Sequence, residues 1–234
     1  MAAGRCVTLI MRMASLPARD SRPHLRLVPG GTERATEPVS DEELIAAFVR
    51  GDRGVAEELY DRLIHVVEAT LFRILGRRGD DHEDLVQSAF EQIMLTLVRK
   101  RFAGACSLRA WAATVTSHLA LNVIRTRTRD RRWLAREGTC GSELERARAP
   151  VDVERQAAVR DELERVRRIL ATMKPERASA LVLHDVLGHE LAEIAVLTGV
   201  SVSAAQSRLF RARAELETKL EAELEACRSG EGES

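Results

Sequence analysis

The sequence predicts an all-α protein: two small helical domains joined by a flexible linker, the C-terminal one containing a helix-turn-helix. Three observations carry that prediction. Leu, Ala, Val, Glu and Arg dominate the 234 residues while aromatics make up 3%, a composition that favours helices over sheets. From about residue 41 onward apolar residues recur at helical spacing, with no strand-like alternation and no internal repeat. A polar stretch from Gly138 to Pro150, holding two glycines and a proline, interrupts that pattern and reads as a linker.

Residues 1–40 show little periodicity and hold the cluster Pro17, Pro23, Pro29 and Pro38, so they are expected to form a disordered extension, with Met11 and Met13 as internal candidates for the start. Ser40 followed by Glu43 has the spacing of a capping box. Leu44, Ile45, Phe48 and Val49 make a short amphipathic helix ending near Gly51. Val55 to Leu75 makes a longer one ending at Gly76. Asp80 to Val98 makes a third, with Val86, Phe90, Ile93 and Leu97 on one stripe. A loop from Arg99 to Ser107 precedes a fourth helix, about Leu108 to Trp133. Val151 to Met173 is helical again, and Pro175 opens three shorter helices at about 176–187, 190–197 and 201–222. The expected organisation is an extension at 1–40, a first domain at 41–133, a linker at 134–150, a second domain at 151–222 and a tail at 223–234.

Several function classes fall on composition and motif. No run of about 18 apolar residues exists, so no membrane insertion is expected. Cys6 to Met11 is too short a patch for a secretory signal. The four cysteines, Cys6, Cys106, Cys140 and Cys227, are far apart, which points to free thiols and a cytoplasmic location. His189-Glu190-Leu191-Ala192-Glu193 resembles a zinc-protease motif, but Glu193 stands where the second histidine belongs. The acidic cluster Asp80-Asp81-His82-Glu83-Asp84 sits where carboxylates cap a helix dipole. No glycine-rich phosphate loop, nucleophile elbow or cysteine pair is present. No enzyme, cofactor or metal site is therefore expected.

Charge gives the first positive indication. The 36 bases balance the 36 acids overall. Residues 41–98, however, hold 13 acids and 6 bases, net −7, while residues 99–136 hold 10 bases against Asp130 alone, net +9. A cationic block of that size attracts a polyanion and makes its binding salt-dependent. Within it, Leu108, Ala112, Val115, Leu119 and Val123 form an apolar stripe. Trp111, His118, Asn122, Arg125 and Arg129 lie in line about 100° away. Guanidiniums neutralise phosphates, an amide pairs with a base edge and an indole offers a stacking surface. The alternative is that Trp111 is core and the polar residues are ordinary surface.

The second constellation is Leu191 to Arg213. Glu193 to Leu197 is a short helix, Thr198-Gly199-Val200 a tight turn, and Ser201 caps a helix carrying Gln206, Ser207, Arg208, Arg211 and Arg213. This is the helix-turn-helix pattern, whose second helix enters the DNA major groove N-terminus first. Ala195 is small where the helices would cross, and Ile194, Leu197, Val200 and Leu209 supply a local core. The plainer alternative is a helical hairpin with a glycine turn.

Over about residues 41–220 the chain resembles the extracytoplasmic-function (ECF) sigma factors, the short two-domain group of bacterial RNA polymerase sigma subunits. Asp84-Leu85-Val86-Gln87-Ser88-Ala89-Phe90 resembles their core-polymerase-binding helix. Leu108-Arg109-Ala110-Trp111 through Leu119-Ala120-Leu121-Asn122 and the following arginines resemble their promoter −10 helix. Gly188 to Arg213 resembles their −35-reading helix-turn-helix. The resemblance implies that Asp84, Leu85, Gln87, Phe90 and Glu91 dock on bacterial RNA polymerase core, and that the 99–107 loop takes a flipped base. It implies −10 contacts from Arg101, Phe102, Trp111, His118, Asn122, Arg125, Arg127 and Arg129. It implies −35 contacts from Ser201, Ser203, Ala204, Gln206, Ser207, Arg208, Arg211 and Arg213. It also implies promoter DNA and an anti-sigma factor as partners, and no bond-making step. The chain departs from the family's usual Asn at His118 and Asp at Asn122. At Ala204, Ala205 and Gln206 it departs from the frequent Thr, Val and a basic residue. These departures bear on which promoter is read. Two further readings are a helix-turn-helix regulator that does not act as a polymerase subunit, and a sigma-like protein that does not initiate.

Overall fold

The structure, a computed structural model, describes residues 39–99, 102, 104–136 and 151–230. The expectations for the N-terminal extension, for Arg101 and for most of the linker lie outside the described residues, as do the last four residues. The described chain forms α1 (Asp41–Arg50), α2 (Arg53–Leu75), α3 (His82–Val98) and α4 (Leu108–Arg136), then α5 (Val151–Thr172), α6 (Pro175–Leu181), a π turn (Val182–Val186), α7 (Leu191–Thr198) and α8 (Val202–Gly230). The protein is all-α, and no strand occurs among the described residues.

The helix ends follow from local chemistry. The Ser40 hydroxyl accepts from the Glu43 amide at 3.2 Å, and the Glu43 carboxylate accepts from the Ser40 amide at 3.1 Å, which completes the capping box. Gly51 and Gly76 close α1 and α2 in the left-handed region, at φ 88° and 73°, where a side chain would be strained. Asp41 ties α1 to the start of α4: its carboxylate accepts from the Leu108 amide at 3.1 Å and from Arg62 at 3.1 Å. A carboxylate there also opposes the positive end of the α4 dipole.

The first region packs α1, α3 and α4 around the central α2. Leu59, Leu63, Leu71, Ile93, Leu97 and Leu121 are buried at its heart, each contributing about 1.5–3 kcal/mol by removal from water. The second region packs α6, the π turn and α7 against α8. In the π turn the Leu187 amide reaches back five residues to the Val182 carbonyl at 3.0 Å. The wider turn carries Asp185 to the α8 residue Arg213, whose Nε donates to it at 3.0 Å. The two regions share one continuous apolar core, because α5 lays Leu163, Val166 and Leu170 into it beside Leu75 and Ile124.

The helix ranges differ from the sequence reading by a few residues, chiefly in that α4 runs on to Arg136 and α8 to Gly230. The larger difference is rotational. The expected α4 stripe of Leu108, Ala112, Val115, Leu119 and Val123 is only partly the buried face. Ala110, Trp111, Thr114, Ser117, Leu121 and Ile124 are buried as well. Sandwiched between α2 and α5, α4 has contacts on more than one side, and the buried hydroxyls of Thr114, Thr116 and Ser117 are satisfied within the helix. Thr114 and Thr116 donate to carbonyls one turn back at 3.0 and 2.8 Å.

Candidate nucleic-acid interface

The two basic helices end up in different environments. In α4, Trp111 is only 9% exposed and packs against Phe102 with ring centroids 5.2 Å apart. The expectation of Trp111 as a stacking surface is therefore corrected: the indole is core, held where small Ala110, Ala112 and Ala113 let neighbouring helices approach. The exposed indole of this helix is Trp133, at 56%. It stands four residues after Arg129, so the spacing that defines the polar row reaches it at the end of the helix.

The polar row lies along one wall of a cleft of about 410 Å³. His118, Asn122 and Arg125 form that wall, facing Glu176 and Ser179 of α6 and Arg208 of α8. His118 Nε2 lies 2.9 Å from Ser179 Oγ. Solvent reaches the His118 ring through the cleft mouth, yet the surrounding protein desolvates it and Arg125 repels a proton, so its pKa is pushed below the ordinary histidine value. Arg125 donates to Asn122 at 2.9 Å through Nη1, and its buried Nη2 has no hydrogen-bond partner among the described residues. Arg127 is turned toward Asp81 and donates to it, which holds that carboxylate below its usual pKa. It therefore braces the start of α3 against α4. Arg129 is largely exposed, with Asp130 the nearest anion at 3.7 Å.

The helix-turn-helix is more open. Gly199 ends α7 at φ 67°, and Ser201 caps α8 by accepting from the Ala204 amide at 3.2 Å. Ala195 and Ala205 are buried where the two helices cross. Ser201, Ser203, Gln206 and Arg211 are exposed, while Ala204, Ser207 and Arg208 are half-buried. Arg213 points the other way, and its guanidinium pairs with Asp185 and approaches His184 at 3.3 Å. Its role is to tie α8 to the π turn, a partner that no local spacing announces. His189 likewise pairs with Glu193, at 2.8 Å across the start of α7.

On α3, Asp84, Gln87 and Glu91 are exposed on one ridge, with Gln87 donating to Glu91 at 3.0 Å. Leu85 is half-buried. Phe90 is buried, stacking on Tyr60 at 4.6 Å, so it supports the ridge from below rather than forming its surface. Tyr60, 41% exposed, takes its place at the rim of a cleft of about 630 Å³ that also holds Glu68, Arg78, His82 and Gln87. His82 is buried, with Nε2 unpartnered among the described residues, and burial pushes its pKa down.

A cationic helix, a capped helix behind a glycine turn and an acidic ridge thus occur in one chain. A model of Sigma-70 region 2 matches residues 59–130, and a model of Sigma-70, region 4 matches residues 163–216. The ECF RNA polymerase sigma factor SigM of Mycobacterium tuberculosis is 32% identical over 186 residues, spanning 76% of this chain and 83% of that protein. The RNA polymerase sigma factor CarQ of Myxococcus xanthus is 29% identical over 182 residues, spanning 77% and 98%. Among solved structures, CnrH in complex with the cytosolic domain of CnrY is 27% identical, spans 76% of this chain and 96% of that one, and superposes with a TM-score of 0.44. With both sigma-70 regions matched in order, and SigM alike over most of its length, the chain belongs to the ECF family of RNA polymerase sigma factors, which direct transcription initiation.

Proposed function

We propose that this chain confers promoter choice on core RNA polymerase through three separate surfaces. The α3 ridge of Asp84, Gln87 and Glu91, with Leu85 and Tyr60 beside it, seats on the polymerase. The α4 row of His118, Asn122, Arg125 and Arg129 holds the −10 strand, with the segment around Phe102 leading into it. The first turns of α8, carrying Ser201, Ser203, Ala204, Gln206, Ser207, Arg208 and Arg211, enter the −35 major groove. Trp111, Arg127 and Arg213 position these surfaces from within the fold.

The observation that carries the proposal is the N-terminus of α8. A capped helix stands behind the Gly199 turn with Ser203 and Gln206 in solvent. Such an end directs free amides and the positive dipole terminus at DNA while its first side chains meet base edges. The arginines of α4 and α8 supply sequence-independent attraction to phosphates, and Asn122 and Gln206 supply hydrogen bonds to bases.

The chain makes and breaks no bond in this reading, and the chemistry belongs to the polymerase. Its place of action is the cytoplasm, where promoter and polymerase are, and no described helix is long and apolar enough to cross a membrane. An anti-sigma protein is the expected regulator, as family membership implies. Run-off transcription with purified core polymerase and genomic promoter fragments tests the proposal. Initiation that depends on this chain supports it, whereas DNA binding without initiation favours a regulator.

A further inference from the structure

Arg167 of α5 is 7% exposed, and arginine is rarely that deep without dedicated partners. Its Nε donates at 2.9 Å to the carbonyl of Ile74, next to last in α2. Its Nη1 donates at 3.2 Å to Glu164, one turn back on α5. The third nitrogen, Nη2, is buried without a hydrogen-bond partner among the described residues. It lies over Gly76, where a Cβ would stand 1.9 Å from it, so the absence of a side chain there opens the socket that the guanidinium fills. Burial lowers the pKa of Arg167, Glu164 opposes that shift, and Arg77 adds to it by repulsion. A buried cation with a nitrogen to spare calls for a further acceptor.

The surroundings are cationic as well. Where α2, α4 and α5 meet, a recess of about 20 Å³ is lined by Arg77, Arg127, Arg131, Arg167 and Arg168, with Glu164 the one carboxylate among the described residues of its wall. Asp81 and Glu223 pair with Arg127 and Arg168 from outside that wall, and Glu223 is shared with Arg165. Five guanidiniums thus face three carboxylates, one of them divided. The negative end of the α2 dipole adds about half an elementary charge, which does not close the gap. Leu75 and Ile124 supply an apolar part of the wall, and low-dielectric walls strengthen the field that such a recess presents.

We propose that this recess is an oxyanion site for a phosphate-type ligand. Its volume is that of about one water-sized group, so one oxygen of the anion enters it. The remaining oxygens stay at the mouth, beside the exposed Arg77, Arg131 and Arg168. Planar guanidiniums match the spacing of phosphoryl oxygens and bind them with charge-assisted hydrogen bonds. Arg167, deep in the wall, gains the acceptor that its protein partners leave it short of.

The site does not rest on the function proposed above, and a failure to initiate transcription leaves it untouched. The test is isothermal titration calorimetry of the full chain with inorganic phosphate, chloride holding the ionic strength constant. The expected result is saturable binding at one site. Arg77→Gln and Arg168→Gln, both at exposed positions, should each weaken it by about 3- to 10-fold. Glu164→Gln removes the competing charge while keeping an acceptor for Arg131 and Arg167, and should tighten binding by about 3-fold. A recess with a structural role alone would give no such gain. Arg132→Gln, exposed on α4 outside the wall, should leave the affinity as it is. Absence of saturation, an equal loss in Arg132→Gln, or weaker binding by Glu164→Gln overturns the site. A mixed-sequence DNA duplex as second probe distinguishes the source of the phosphoryl group, and either result supports the site. Displacement of phosphate by the duplex assigns it to a backbone phosphate, and unchanged phosphate binding by the duplex-saturated chain assigns it to a free anion.

Discussion

The two helices proposed to read DNA show how one chemical theme is placed in two ways. The first turns of α8 present their polar residues to solvent, held by a turn and a cap that lie within a few residues of them. The polar row of α4 lies in the middle of a long helix whose opposite sides are buried against α2 and α5, and α6 faces it across a cleft. A reading surface at a helix end is set by local sequence. A reading surface along a helix flank depends on everything packed around that helix.

Substitutions at matched positions break this comparison most sharply where burial differs. Trp111→Ala removes a core indole and should cost about 3–5 kcal/mol in urea denaturation. Gln206→Ala, exposed on α8, should stay within about 0.5 kcal/mol. Equal losses at the two sites would contradict the contrast. Binding of the isolated chain to a −35 duplex should separate the helices next. Arg208→Ala should weaken it by about 10-fold, in line with about 1–3 kcal/mol for a good base contact, and Asn122→Ala should leave it unchanged. In the polymerase-bound form the order changes. Arg125→Ala should then slow promoter opening several-fold and lower the salt dependence of binding by about one counterion.

The smallest expected effect is in pH. His82 and His118 both have pKa values below the ordinary 6.5, so in the unfolded chain they take up protons that the folded chain refuses. Their contribution to stability is complete above about 6.5. It falls as the solution is acidified through the window between the unfolded and folded values. His82→Gln should flatten the fall in Tm between pH 7 and pH 5. A variant with the same slope as the parent would show that the buried ring does not govern it.

Much of the framework was legible in the chain. Ser40 and Glu43, Gly51, Gly76, Gly199 and Ser201 mark helix ends by chemistry that operates over three or four residues, and all of them stand at the ends of helices. The helix-turn-helix followed from the same kind of signal, including small Ala195 at the crossing. The burial of Trp111 was not decidable, because a residue between a buried stripe and a polar row is assigned only by what packs beside it. Nor were the roles of Arg127 and Arg213, whose partners Asp81 and Asp185 lie 46 and 28 residues away. Arg167 is the extreme case. In sequence it is one arginine on an amphipathic helix, and its socket is 93 residues upstream.

By itself, then, the sequence determined which segments are helical, where they stop and which blocks carry positive or negative charge. Those properties arise from propensity, capping and composition, which act between near neighbours. The tertiary structure alone decided which side of α4 is hidden, which arginines are occupied by carboxylates, and that Arg167 reaches the end of α2. Those outcomes depend on helices distant in sequence competing for the same apolar surface, and no local pattern records who wins.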